Sequence, residues 1–249
     1  MLELSQGLPA WRALPAPPGV SCVGVGLADV AAALPTQGQP LVALLEQLSD
    51  AERQCLARFP LRKRRIEWLA GRLAAKTALQ RSSAALPRPD QAEVRQAQDR
   101  RPSFAHTHLS ISHSRREALA AVAAQAVGVD TETYDAMRAD SLQLLIRDDE
   151  SQALATDLGC DLQAARTLAW CIKEALFKAA GQGAFASFAR ALQLQGWRHD
   201  QQLPAWRWLS DEIRAPVPSL APWQLRYGLE AEAAWALVVA TPCPATPQG

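Results

Sequence analysis

Apolar residues fall at helical spacing from Leu41 to Phe59 (Leu41, Leu44, Leu45, Leu48, then Cys55 and Leu56). Ser49-Asp50 interrupts that run as the cap of a second helix. A stronger helical pattern follows from Arg62 to Ser82, with Ile66, Leu69, Leu73 and Leu79 turned inward and the arginines outward. Leu109 to Ser112 alternates apolar and hydroxyl residues as a strand does. Ala118 to Gln125 reads as a buried strand and Val127 to Glu132 as the next. Two more helices are expected, about Ser141 to Leu158 and Asp161 to Ala180. The second is amphipathic through Leu168, Ala169, Cys171, Ile172, Leu176 and Phe177. After Ala189 short apolar runs alternate with turns. Trp206 to Trp208, Trp223 to Tyr227 and Ala233 to Ala240 read as strands of an antiparallel sheet. Each half thus reads as helices packed with a small sheet. The expectation is an α+β chain of two lobes, 1–126 and 127–249, with no literal sequence repeat.

Composition narrows the field. Of 249 residues, 49% are hydrophobic and 20% charged, which suits a packed soluble core and excludes a disordered chain. A net charge of only +1 argues against a molecule built for nucleic acid. The basic stretch from Arg62 to Arg72 follows a helical period instead of forming a loose tail. The first forty residues are proline-rich, with a short strand expected at Cys22 to Val25. Ser83 to Arg101 reads as a connection turning at Pro87-Arg88-Pro89-Asp90. The cysteines, Cys22, Cys55, Cys160, Cys171 and Cys243, lack metal-binding spacing and are odd in number, as expected of reduced thiols. With neither a signal-like start nor a membrane-length apolar run, the expected location is the cytoplasm.

The candidate chemistry lies in two acidic segments. A strand points Asp130 and Glu132 the same way, and a helix puts Glu174 and Lys178 on one side. Three carboxylates beside a lysine suit a hard divalent cation holding a phosphorylated substrate. Ser112 and His113, at a strand-to-turn junction, could donate to phosphate oxygens. A rim of Arg64, Arg65 and Arg72 could fork onto a phosphate monoester.

In order along the chain, these pieces resemble the phosphopantetheinyl transferases of the larger Sfp-like type. The resemblance rests on the arginine-bearing helix with Gly71-Arg72, on Ser112-His113 after a strand, and on Gly128-Val129-Asp130-Thr131-Glu132. Trp170-Cys171-Ile172-Lys173-Glu174-Ala175-Leu176-Phe177-Lys178 completes it, with Cys171 where the family usually has a hydroxyl. The resemblance implies two pseudo-twofold-related α/β lobes with the ligand between them. It also implies magnesium-dependent transfer of 4′-phosphopantetheine from coenzyme A to a serine of an apo acyl or peptidyl carrier protein. The other product would be adenosine 3′,5′-bisphosphate.

By motif match, Asp130, Glu132 and Glu174 would bind Mg²⁺, and Lys178 would stabilise phosphate charge. Ser112, His113 and Arg101 would contact phosphates, and Arg64 and Arg72 would recognise the 3′-phosphate. Glu150 falls where some members place the base that deprotonates the carrier serine; Asp148-Asp149-Glu150 also reads as an acidic helix start. The segment from Tyr134 to Arg147 resembles the carrier-docking region. The N-terminal lobe would serve coenzyme A recognition and the C-terminal lobe metal binding and catalysis, in a monomer without nucleic-acid or membrane partners. Two other readings are a metal-dependent nucleotide phosphohydrolase and an inactive adaptor that binds coenzyme A or a carrier.

Overall fold

The computed structural model describes residues 8–34, 42–82, 90–96, 102–105, 107–136, 144–180, 183–199, 203–209 and 223–241. The chain divides into two compact units, Met1–Ala124 and Gln125–Gly249.

The first unit is an antiparallel sheet backed by helices. β1 (Trp11–Ala13) and β2 (Val20–Gly26) precede α1 (Leu27–Ala33), α2 (Val42–Glu46), α3 (Asp50–Arg58) and α4 (Arg62–Ser82). β3 (Arg95–Gln96) and β4 (Pro102–Ser103) form a short ladder; β5 (His108–His113) and β6 (Glu117–Ala123) complete the main sheet in the order β1-β2-β6-β5. The break expected inside the first helical run is real. Ser49 caps α3, its Oγ accepting from Glu52 N at 3.2 Å while the Glu52 carboxylate accepts from Ser49 N at 2.9 Å.

The inward set Ile66, Leu69, Leu73 and Leu79 is buried as the periodicity predicts. Alanines 70, 74, 75 and 78 widen that face until most of α4 is core. The arginines do not all point outward. Arg62 donates to the carbonyls of Ala31 and Leu34 at 2.7 and 3.0 Å, and Arg72 is largely buried.

The second unit repeats the helix-on-sheet plan with other connections. β7 (Val127–Thr133) leads into α5 (Asp148–Leu158), α6 (Leu162–Ala180) and α7 (Phe185–Ala191). A hairpin of β8 (Leu192–Arg198) and β9 (Leu203–Trp208) comes next, then β10 (Trp223–Leu229) and β11 (Ala233–Ala240). The sheet order is β10-β11-β7, antiparallel, and the β11 register sets Ala236 opposite Asp130. α6 lies on this sheet with Leu168, Ala169, Cys171, Ile172, Ala175 and Leu176 in the core.

The helix expected from Ser141 starts at Asp148. Residues 141–143 lie outside the described ones, and Leu144 to Ile146 form a turn before Arg147, which is extended. Helices and small antiparallel sheets make the chain α+β, as its patterning predicts. The four described cysteines are free, and no described helix is long and apolar enough to cross a membrane.

Candidate functional site

Side chains alternate along a strand, so Gly128, Asp130 and Glu132 share one face of β7. That face meets α6. A Cβ on Gly128 would overlap the Ala175 carbonyl oxygen and come within 2.8 Å of its carbon and 2.9 Å of Ala179 N. Only glycine lets the helix backbone settle this close, and the close approach brings Asp130 within reach of the residues one turn along the helix.

Lys178 Nζ donates to Asp130 Oδ1 at 2.6 Å and to the Val129 carbonyl at 3.2 Å; Glu174 Oε2 lies 4.0 Å from the same ammonium. Asp130 is buried, while Glu174 and Lys178 keep partial access to solvent. Burial and the neighbouring Asp130 push the Glu174 carboxyl up to about 7, against the pull of Lys178. Burial draws the Lys178 ammonium down, but Asp130 and Glu174 outweigh it and hold its pKa above the ordinary value.

Cys171 Sγ, fully buried, donates to the Ala234 carbonyl at 3.4 Å. Burial, with the charges of Asp130 and Glu132, holds this thiol protonated far above the usual range. The cluster therefore joins Asp130, Glu174, Lys178 and Cys171, with Glu132 two residues along the Asp130 face.

Magnesium, which the family resemblance implies, fits the chemistry of the donors. The carboxylates are hard oxygens, and burial together with repulsion from Asp130 raises Glu174 to about 7 despite Lys178. A further cation would relieve that repulsion. Among the described residues, however, no three His, Cys, Asp or Glu side chains are gathered closely enough to hold a metal ion. The side chains as they stand assemble Asp130 and Glu174, and Glu132 does not complete a trio.

Glu150, expected as the base, lies apart from the acid cluster. It is fully buried, and Lys173 donates to both its oxygens at 2.9 Å. Leu194 N donates to Oε1 at 2.8 Å and Arg147 N to Oε2 at 2.9 Å. Both oxygens of this carboxylate are thus taken up by protein donors in the ligand-free arrangement. The sequence reading also missed its partner. Lys173 sits inside the motif that drew attention to Glu174 and Lys178, but it points to the other side of the helix.

The basic residues of the first unit separate into unlike environments. Arg64 is exposed and pairs with Glu67 at 3.2 Å. Arg72 lies over the Trp68 ring, 4.6 Å from its centroid, with its Nε 3.9 Å from Glu52 Oε1. Burial draws the Arg72 pKa down and Glu52 partly restores it. Ser112 is buried near the end of β5, and His113 ends that strand exposed. Arg101 lies outside the described residues, as do Met137 to Gln143 of the segment likened to a docking region.

Two family models match this architecture. The 4′-phosphopantetheinyl transferase N-terminal domain matches residues 51–123, and the 4′-phosphopantetheinyl transferase superfamily model matches residues 126–220. Among curated proteins, the enterobactin synthase component D of Salmonella austin is 39% identical over 122 residues, which cover 47% of this chain and 48% of that protein. Those of Escherichia coli O157:H7 and Shigella flexneri are each 38% identical over 143 residues, 56% of this chain and 66% of theirs. The chain thus spans between about half and two thirds of the length of the curated relatives it matches. With both models falling in order on the two units, and the motif residues of β7 and α6 meeting in space, the chain belongs to the 4′-phosphopantetheinyl transferase superfamily, Sfp type.

Proposed function

We propose that this protein transfers the 4′-phosphopantetheine arm of coenzyme A to a serine of an apo carrier protein and releases adenosine 3′,5′-bisphosphate. The serine oxygen bonds to the phosphorus that carries the pantetheine. The bond from that phosphorus to the bridging oxygen breaks, and the serine proton is lost. The observation that supports this most is the contact of Lys178 with Asp130 at 2.6 Å beside Glu174. It is an ammonium held charged among acids, suited to a diphosphate whose leaving oxygen gains charge.

Asp130 and Glu174 are the residues that would hold Mg²⁺, with Glu132 drawn in from two residues along the same strand face, and the charge of the ion would offset that of the pyrophosphate oxygens. Arg64 and Arg72 are proposed for the 3′-phosphate, with Ser112, His113 and Arg101 as further phosphate contacts. Arg72 supports this assignment best, since Trp68 and Glu52 hold its guanidinium in place. The protein is proposed to act as a cytoplasmic monomer, with coenzyme A and a transiently bound carrier as its partners.

Intact-mass measurement of apo carriers incubated with the protein, coenzyme A and Mg²⁺ tests the proposal. An enterobactin synthase carrier comes first, because the matched relatives carry that name. The expected result is the added mass of one phosphopantetheine arm per carrier. Release of adenosine 3′,5′-bisphosphate without any carrier would favour the phosphohydrolase reading. Coenzyme A binding with neither product would favour the inactive adaptor.

A further inference from the structure

Two buried Glu–Lys pairs, one in each unit, are built to a single plan. Glu52 is the third residue of α3 and Glu150 the third of α5. Each carboxylate reaches back to the backbone N–H three residues earlier, Ser49 at 2.9 Å and Arg147 at 2.9 Å. Each binds a lysine of the next long helix, Lys76 on α4 at 2.6 Å and Lys173 on α6 at 2.9 Å. Each lysine also donates to a carbonyl sixteen residues further on, Ala92 at 2.8 Å and Ala189 at 2.9 Å. The Oε1 of each glutamate then accepts an N–H from just beyond that carbonyl, Val94 at 3.1 Å and Leu194 at 2.8 Å. All four side chains are at most 3% exposed. Four matching contacts mark one device used twice, and the residues around it agree locally: Asp50, Glu52 and Gln54 answer to Asp148, Glu150 and Gln152, and Lys76, Ala78 and Leu79 to Lys173, Ala175 and Leu176.

In the second unit the device adjoins the candidate site. Lys173 precedes Glu174, and neighbouring residues on a helix point about 100° apart. Pinning Lys173 to Glu150, Ala189 and the Leu145 carbonyl (3.0 Å) therefore leaves Glu174 turned towards β7. We infer that the Glu150–Lys173 pair, counterpart of Glu52–Lys76, positions α6 so that Glu174 and Lys178 meet Asp130, and that Glu150 takes no proton from substrate. The turnover part of this inference rests on the proposed transfer reaction; the positioning part does not.

Four variants decide it: E150Q, K173M, E150Q/K173M and E52Q/K76M, the last compared with E52Q. Removing one partner strands the other buried and unpaired, so E150Q should lower the melting midpoint by roughly 10 °C. It should also weaken Mn²⁺ binding about tenfold below the melting range, although Glu150 lies outside the acid cluster. The double variant leaves no stranded charge, so it should regain at least half the lost midpoint, part of the Mn²⁺ affinity and part of kcat. Removing a lysine cannot restore a missing base.

A double variant no more stable than E150Q overturns the positioning role. So does an E150Q that loses turnover while keeping wild-type melting and Mn²⁺ affinity. If E52Q/K76M gains nothing over E52Q, the two pairs are not counterparts. A wild-type protein that modifies no carrier would sink the proposed function, while the melting and Mn²⁺ measurements would still decide this inference.

Discussion

Replacing Glu174 by glutamine should make the ligand-free protein more stable above neutral pH while removing its response to metal. The Glu174 side chain is only 21% exposed, and burial together with Asp130 raises its carboxyl from an ordinary 4.5 to about 7. The folded state therefore holds this proton to higher pH than the unfolded chain does. Between pH 4.5 and 7 the folded state binds more protons, so stability falls as pH rises through that window and the full cost stands above 7. Carrying a carboxyl across that interval costs the ionised folded state about 3 kcal/mol, the attraction of Lys178 already included. Glutamine does not ionise and has nearly the same shape.

Melting curves at pH 5 and pH 8 read the effect directly. E174Q should melt close to wild type at pH 5 and roughly 6–12 °C above it at pH 8. Adding Mg²⁺ and coenzyme A at a hundred times their dissociation constant should raise wild-type stability by about 2.7 kcal/mol and E174Q by far less. If E174Q melts at or below wild type at pH 8, the repulsion between Asp130 and Glu174 is not what the geometry implies. The assignment of this pair as a cation-seeking site would fall with it.

Gly128→Ala tests the close approach of β7 and α6. Restoring ordinary contact with the Ala175 carbon alone would take a retreat of about 0.6 Å, the gap between 2.8 and 3.4 Å, and clearing the overlapped carbonyl oxygen takes more, which would loosen the Lys178–Asp130 bond. Calorimetry should show a loss of about 1–3 kcal/mol with weakened Mn²⁺ binding, and wild-type values for both would refute the argument. Gly71→Ala is the contrast: its Cβ would meet only the Ile111 Cγ2 methyl, at 3.1 Å, so a shift of a few tenths of an ångström, offset by helix propensity, should cost far less than at Gly128. Arg64→Ala with Arg72→Ala should weaken coenzyme A binding at least tenfold while sparing 3′-dephospho-coenzyme A, read by titration calorimetry. Equal losses for both ligands would remove α4 from 3′-phosphate recognition.

Much of the fold could be read in the sequence wherever a single period governs a segment. α4 and β11 span the residues that their patterns predict, and Ser49 breaks the preceding helix through a cap that the sequence displays. α1 and α7 escaped, because short elements rich in alanine carry little periodic contrast, and β8 escaped because its Leu-Gln alternation is cut short at Gly196. The i,i+4 and i,i+2 spacings paired Glu174 with Lys178 and Asp130 with Glu132, and the family resemblance implied that the two segments meet, as Lys178 does with Asp130. The environment of Arg72 did not, since the Glu52 beside it comes from another helix and Trp68 lies on the same helical surface as apolar core residues. Gly128 did leave a legible signal, a glycine inside an apolar strand, which marks a close backbone approach.

The motif from Trp170 to Lys178 carries architecture and chemistry on one helix, and its spacing says which is which only after packing is known. Trp170 lies edge-on to Phe185 at 5.2 Å, Lys173 is spent on Glu150, and Ala175 gives Gly128 its contact surface. Glu174, Lys178 and the Cys171 thiol face the acid on β7. Glu150 and Lys173 are 23 residues apart on different helices, so no local pattern joins them, and each alone looks like a candidate acid or base. Burial separates the cases. A carboxylate with three donors and no solvent fixes a helix in place, whereas one with its pKa raised to about 7 by burial and a neighbouring acid retains the capacity to bind a cation. On that criterion the positioning role inferred above suits Glu150, the Asp130–Glu174–Lys178 group keeps the chemistry expected of it, and the motif's other lysine is what holds that group in orientation.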